Sequence, residues 1–229
     1  MKEHNYANIF PYKNIRKEQE VAIDFALNTL INNNKKFAII EAGTGVGKSA
    51  VGLTVGRYLD DYYSAKFTTD DIEYGQGTYF LTTQKILQEQ YEKDFGRPKG
   101  SMKSLYSASN YQCSFKKGND CRTSLQELKG EKKGSPFFKA CAIGCKYKAK
   151  KKEFLESRES ITNFPYFILE STYSGKITPR NVLIVDEAHN TEDVLSKFVE
   201  MGISQYFAEK IIKVKWPAKV LLSILINGF

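Results

Sequence analysis

The sequence contains no long apolar stretch. Its longest, Val220–Ile226, has seven residues including Ser223, whereas a helix that crosses a bilayer needs about 20 apolar residues. The first five residues, Met1 to Asn5, also lack the apolar segment of a secretory signal peptide. We therefore expect a protein without a membrane partner, in a reducing intracellular compartment: the cytoplasm, the nucleoid or the nucleus.

Cysteine is scarce and unevenly distributed. The 229 residues include four cysteines, and all of them fall between positions 113 and 145. Disulfides do not persist in a reducing compartment, and four thiols this close in sequence are more typical of a metal site than of four unrelated core positions. The candidate ligands are Cys113, Cys121, Cys141 and Cys145.

Acidic residues are scarce in the same part of the sequence. The whole chain carries 34 Lys and Arg against 26 Asp and Glu, a net charge of +8. Residues 100–152 alone hold 13 basic and three acidic residues, so the remainder of the chain is close to neutral. A strongly basic segment on a near-neutral body indicates a polyanionic partner for that segment.

Short apolar runs alternate with helical patterns along the chain. The runs show no clean alternation of apolar and polar residues, which is typical of parallel strands buried on both faces. We predict strands at Phe37–Ile40, Thr78–Thr82, Tyr166–Leu169 and Val182–Val185. We predict helices at Glu18–Asn32, Ser49–Tyr62, Gln84–Phe95 and Lys146–Ser157. This order of elements predicts an α/β fold with a parallel sheet.

The cysteine-bearing segment divides this predicted fold. We assign residues 1–99 and 158–229 to the α/β domain and residues 100–157 to a small inserted domain. Six glycines lie between positions 96 and 144. We therefore expect little regular structure in the insertion before the helix at Lys146–Ser157.

A glycine-rich stretch follows the first predicted strand and precedes a helix. Its pattern is that of a phosphate-binding loop, A-x-x-x-x-G-K-S, with Ala42 where a first glycine is usual. Main-chain N–H groups of such a loop bind phosphate oxygens, and the helix N-terminus adds positive potential. We expect Lys48 to contact the β- and γ-phosphates and the Ser49 hydroxyl to bind Mg²⁺. The loop comprises Ala42, Gly43, Thr44, Gly45, Val46, Gly47, Lys48 and Ser49.

An acidic pair follows the last predicted strand. The carboxyl end of a parallel strand lies at the edge of the sheet where nucleotides bind. We expect Asp186 to hold Mg²⁺ through water, and Glu187 to orient and deprotonate the water that attacks the γ-phosphate. We expect His189 to couple the nucleotide site to a neighbouring element.

These motifs resemble those of superfamily 2 helicases, and in particular those of the XPD/DinG family. The residues from Asp186 to His189 match the DEAH box, and Arg16 and Gln19 match the R-x-x-Q adenine-recognition motif. The stretch 79–90 resembles the motif that grips the DNA backbone. Asn110–Cys113 and Cys145–Tyr147 resemble the surroundings of the first and last cluster cysteines, Thr162–Phe164 is a further family landmark, and the resemblance covers about residues 10–195.

The resemblance implies an ATP-dependent DNA helicase that moves 5′ to 3′ on single-stranded DNA. The expected fold is a RecA-like P-loop NTPase domain with an inserted iron–sulfur domain, and the four cysteines would bind a [4Fe–4S] cluster. Gln19, with Arg16, would recognise adenine, while Lys48, Asp186 and Glu187 would be catalytic. The expected partners are single-stranded DNA or DNA forks and other repair or replication proteins.

Two features depart from the family pattern. The cysteine spacing, C-x7-C-x19-C-x3-C, has a short last gap. The S-A-T motif and the arginines supplied by a second RecA-like domain are not found in the sequence. We therefore expect an N-terminal helicase portion whose tail, from about residue 191, begins an arch-like insertion, and whose partners include a C-terminal helicase half.

The residues themselves leave the metal and the activity open. Four thiolates can bind Zn²⁺ or a cubane cluster; zinc sites usually show two tight cysteine pairs, and here only Cys141 and Cys145 form one. Aromatic residues interleaved with lysines suit single-stranded nucleic acid. Two alternatives remain: a non-catalytic nucleotide- or DNA-binding module that regulates a partner, and a zinc-containing nucleic-acid-binding protein.

Overall fold

The computed structural model of the protein describes residues 4–66, 75–95 and 102–199. The strands are β1 (Gly75–Thr82), β2 (Met102–Leu105), β3 (Glu159–Asn163) and β4 (Arg180–Val185). The helices are α1 (Lys17–Leu27), α2 (Lys48–Lys66), α3 (Lys85–Phe95), α4 (Cys121–Leu128), α5 (Pro136–Ile143), α6 (Lys146–Glu156), α7 (Phe164–Leu169) and α8 (Thr191–Val199). None of the helices within these ranges is long and apolar enough to cross a membrane.

The four strands form one parallel sheet in the order β2-β3-β1-β4. The central strand β1 is buried along its last six residues, with no alternation between its faces, because helices cover both sides of the sheet. Phe80 on β1 stands in register with Ile161 on β3 and Ile184 on β4. The parallel α/β fold predicted from the sequence is therefore confirmed.

Two glycines bring helix α2 unusually close to the sheet. Gly52 and Gly56 lie one turn apart, and a Cβ at Gly56 would stand 3.0 Å from both Phe80 and Thr78. The Thr78 hydroxyl donates to the main-chain carbonyl of Gly56 at 3.0 Å. Helix α2, which begins at Lys48, is thereby fixed against β1 and β4, and the carboxyl ends of these strands face its N-terminus.

Two of the four predicted strands are wrong. Residues 37–40 pair with no strand of the described sheet, and Phe37 and Ile39 are 81% and 85% exposed. An apolar run becomes a strand only when a neighbour accepts its hydrogen bonds, and β4 forms no ladder with it here. Residues 166–169 belong to helix α7, whose start is capped by the Asn163 side chain accepting from the N–H of Tyr166 at 2.9 Å.

The predicted insertion contains more regular structure than its glycines indicate. Strand β2 falls within residues 100–157 and pairs with β3 in the main sheet. Helices α4 and α5 carry Cys121 and Cys141, and Cys145 is the N-cap of α6. Asp120 and Ser135 cap these two helices by accepting from the N–H groups of Thr123 and Phe138. Whether residues 100–157 form a separate domain stays a prediction.

A buried ion pair joins α2 to β3. The Arg57 guanidinium donates to both carboxylate oxygens of Glu159, at 2.7 and 2.9 Å, and to the main-chain carbonyl of Phe95 at 3.2 Å. The two side chains are 9% and 13% exposed. Because this charge pair is taken out of water, removing one partner leaves the other uncompensated.

Replacing Glu159 with alanine is expected to lower the free energy of unfolding by about 3–5 kcal/mol. Urea denaturation followed by circular dichroism measures the change. Glu156→Ala is the matched control, because its ion pair with Lys152 is solvent-exposed and contributes at most about 1 kcal/mol. Equal losses in the two variants would contradict a stabilising role for the buried pair.

Candidate functional site

The phosphate-binding loop has the backbone that its glycines permit. Gly45 and Gly47 have φ angles of 78° and 86°, in the left-handed region that favours glycine. Ala42 is not among the described residues with positive φ, so an alanine is compatible with the position where a first glycine is usual. The loop leads directly into α2, as the sequence predicts.

Lys48 begins helix α2 and points back into the loop. Its Nζ donates to the main-chain carbonyls of Ala42 and Gly43, at 3.2 and 3.4 Å, and lies 3.8 Å from Oε1 of Glu187. The two side chains are 30% and 32% exposed. The ammonium group is therefore held at the loop by weak partners that phosphate oxygens can replace.

Asp186 is the best-anchored group of the site. Its Oδ2 accepts from the Ser49 hydroxyl at 3.3 Å and from the Tyr91 hydroxyl at 2.9 Å, while Oδ1 accepts from the N–H of Glu187 at 3.0 Å. The N–H of Asp186 donates to the carbonyl of Leu81 at 2.8 Å. The structure thus brings together Ser49 and Asp186, the two side chains predicted to bind Mg²⁺ and 137 residues apart in sequence.

Glu187 has an uncommon backbone conformation. Its φ of 54° and ψ of 45° are left-handed, a conformation that costs a non-glycine residue energy and is concentrated at functional sites. Its Oε2 lies 3.3 Å from Nδ1 of His189, whose Nε2 is 3.0 Å from the Asn190 amide. His189 therefore contacts the predicted catalytic carboxylate directly, although its side chain is 70% exposed.

Arg16 and Gln19 both contact the phosphate-binding loop, although Arg16 is exposed and Gln19 is buried. The Gln19 amide donates to the carbonyl of Val46 at 2.9 Å, and Arg16 donates to the carbonyl of Gly45 at 3.1 Å. Gln19 also accepts from the N–H of Arg16 at 3.0 Å and is 4% exposed. Both residues thus support the loop, and their recognition of adenine stays a prediction.

All four cysteines line one cavity of about 380 Å³. They are free thiols, and the sulfurs of Cys121 and Cys145 are 3.5 Å apart, too far for a disulfide. Within the described residues, no three His, Cys, Asp or Glu side chains converge as ligands of a single metal ion. The thiols therefore share a cavity without a preformed site for one ion.

The environment of the thiols differs from one cysteine to the next. Burial raises the pKa of the Cys121 thiol to about 12, and the adjacent Cys145 adds to the shift. Burial also raises the pKa of Cys141, against the opposing charge of Lys148. At Cys113 burial acts in the same direction, but the nearby Ser124 hydroxyl and the N–H of Lys116 favour the thiolate more strongly, and the pKa is lowered.

A buried hydroxyl faces the same cavity without a partner. Ser124 is 1% exposed and lines the cavity, yet its Oγ has no hydrogen-bond partner among the described residues. Buried polar groups are almost always satisfied. This hydroxyl can therefore donate to an acceptor in the cavity, such as the neighbouring Cys113 thiolate or cluster sulfur.

Aromatic and basic side chains surround the cavity, as the sequence suggests. Some of them pack against one another or form ion pairs, and others are exposed to solvent. Phe115 stacks on the buried Phe137 with ring centroids 5.4 Å apart, and Lys116 lies over Phe137 while pairing with Glu127. Tyr147 packs into the core and hydrogen-bonds Tyr166 at 2.7 Å. The lysines left exposed in this segment are Lys117, Lys129, Lys132, Lys133, Lys139, Lys146, Lys148, Lys150 and Lys152.

Sequence reasoning missed two residues of these sites. Tyr91 contacts Asp186 because α3 packs against the sheet, and no motif signals that contact. Ser124 lies three residues after Cys121, one helical turn away, so the helical period of α4 was the available signal.

Comparison with known proteins adds one match. Residues 12–215 match the family model described as the type III restriction enzyme, res subunit. The match spans most of the chain and includes the phosphate-binding loop, the cysteine segment and the residues around Asp186. No curated protein matches the chain.

Proposed function

We propose, since the chain belongs to the family of the type III restriction enzyme res subunit, that it is the ATP-binding part of an ATP-dependent DNA helicase. The family is one of superfamily 2 helicase N-terminal domains and supports an ATP-dependent helicase or translocase of nucleic acid. The contact of Ser49 with Asp186 at 3.3 Å carries the proposal, because it joins the phosphate-binding loop to the acidic pair.

The proposed roles use the positions of these residues. Lys48 exchanges its contacts with the loop carbonyls for contacts with the β- and γ-phosphate oxygens of ATP, and Ser49 and Asp186 would hold Mg²⁺, which would neutralise phosphate charge. Glu187 accepts the proton of the attacking water as the bond to the γ-phosphorus forms and the bond to the β–γ bridging oxygen breaks. His189 keeps the Glu187 carboxylate oriented through its Nδ1.

The cysteine cavity is proposed to hold a [4Fe–4S] cluster bound by Cys113, Cys121, Cys141 and Cys145. Four thiol donors on one cavity and the unpartnered Ser124 hydroxyl support a sulfur-ligated group there. A single Zn²⁺ bound by the same four thiolates is the alternative, since four cysteine sulfurs can hold either group.

DNA is proposed as the polyanionic partner, with 5′-to-3′ movement on single strands or forks as the XPD/DinG resemblance implies. The exposed lysines beside the cysteine cavity support phosphate contact, and the half-exposed Phe115 offers a face for base stacking. A C-terminal helicase half and repair or replication proteins are the further proposed partners.

The first experiment is an anaerobic purification followed by a visible spectrum and assays of iron, acid-labile sulfide and zinc. The cluster predicts a broad absorption near 400 nm with about four irons and four sulfides per chain. One zinc without sulfide would contradict the cluster and leave the ATP site standing. ATP hydrolysis with and without single-stranded DNA then tests the helicase proposal; ATP binding without turnover would favour a regulatory module.

A further inference from the structure

Tyr91 lies in the middle of α3 and reaches the end of β4. Its hydroxyl donates to Oδ2 of Asp186 at 2.9 Å, and its ring is 2% exposed. The ring packs between Phe80 and Phe95, with centroids 6.2 and 5.3 Å away. No motif and no role in the proposed mechanism accounts for this contact.

The Tyr91 hydroxyl is the closer of the two hydroxyl donors to Oδ2 of Asp186. The Ser49 hydroxyl, the other donor to Oδ2, lies at the longer distance of 3.3 Å.

Helix α3 cannot move away from Asp186 easily, because buried contacts fix it to the sheet. The Gln88 amide, fully buried, donates to Ser104 Oγ at 2.7 Å and to the carbonyl of Leu105 at 3.0 Å. One turn earlier, Lys85 donates to Asn110 at 2.7 Å. Tyr91 therefore projects from a rigid support.

We propose that Tyr91 is a positioning residue that fixes the orientation of the Asp186 carboxylate for Mg²⁺. With Oδ1 held by the N–H of Glu187 and Oδ2 held by Tyr91, the carboxylate has one orientation before the cation arrives. Preorganisation of this kind removes an ordering cost from binding. The inference rests on the proposed function of the ATP site and assigns it a residue that lies outside both the phosphate-binding loop and the acidic pair.

The test is Tyr91→Phe, which removes the hydroxyl and keeps the ring. A fluorescent ATP analogue is titrated into the chain at a series of Mg²⁺ concentrations and also without divalent cation. The expected result is a roughly tenfold rise in the Mg²⁺ concentration that gives half-maximal enhancement of binding. The affinity measured without Mg²⁺ is expected to stay unchanged, which a general loss of structure would not allow.

Tyr79→Phe is the matched control. Tyr79 is equally buried, but its hydroxyl donates to the carbonyl of Thr178 at 3.1 Å, away from Asp186. Wild-type Mg²⁺ dependence in Tyr91→Phe, or an equal shift in both variants, would overturn the inference while leaving the ATP site intact. A wild-type chain that binds no nucleotide at any Mg²⁺ concentration would overturn the proposed function and this inference with it.

Discussion

Lys48→Ala is expected to weaken binding of Mg²⁺–ATP by about 10- to 100-fold and to abolish hydrolysis stimulated by single-stranded DNA. Hydrogen bonds to charged groups contribute about 1.5–3 kcal/mol, and a factor of ten in affinity corresponds to about 1.4 kcal/mol. Lys48 donates only to two loop carbonyls and lies beside Glu187, so its removal costs the fold little. Titration of a fluorescent ATP analogue measures the affinity.

The matched control for this substitution is Lys66→Ala at the other end of the same helix α2. Lys66 lies over the ring of Tyr62 and far along the helix from the loop, so its removal changes charge equally without touching the phosphates. Nucleotide affinity is expected to stay within twofold of wild type. Similar weakening in both variants would indicate general electrostatic attraction rather than a phosphate contact by Lys48.

Cys145→Ser is expected to remove most of the iron and the visible absorption, and to lower the melting temperature of the chain. Cys145 lies between α5 and α6 and packs against the core shared by the cysteine segment and the sheet. Loss of a metal-bound group removes the folding free energy that its binding supplies. Iron assay, the visible spectrum and thermal denaturation under anaerobic conditions measure the three effects.

Ser114→Ala is the control at the same cavity, because Ser114 lines it but is exposed and is not a sulfur donor. Its iron content and melting temperature are expected to match those of wild type. Full retention of iron in Cys145→Ser would remove this cysteine from the ligand set. Nucleotide affinity, measured on both variants, shows whether loss of the cysteine site also changes the nucleotide site. The contact of Lys85 on α3 with Asn110 is the connection between the two sites.

The sequence alone suffices to predict the proposed ATP site, because the motifs that form it are local. The glycines at 45 and 47 are required by the backbone of a loop only a few residues long, and Lys48 and Ser49 follow at a fixed distance along the same turn of chain. The acidic pair is equally local, since it ends a strand whose apolar residues are contiguous. Such patterns need no knowledge of the rest of the fold.

The strand errors have the opposite cause. Residues 37–40 and 166–169 are apolar, but an apolar run does not specify whether a neighbouring strand will supply hydrogen bonds or a cap will begin a helix. Asn163 decides the second case by capping α7. Strand β2 was missed because its four residues include Lys103 and Ser104 and gain their burial from β3, α3 and α6, which are distant in sequence or not recognisable as its neighbours.

By itself the sequence determined the α/β class, the phosphate-binding loop, the acidic pair and the grouping of the four cysteines within one short segment. Each of these features depends on residues close together along the chain. Only the tertiary structure decided that Tyr91 supports Asp186, that Arg16 and Gln19 brace the loop, and that the four cysteines line one cavity beside an unpartnered Ser124. These contacts join residues from separate elements, and their distances are set by how closely the helices pack on the sheet.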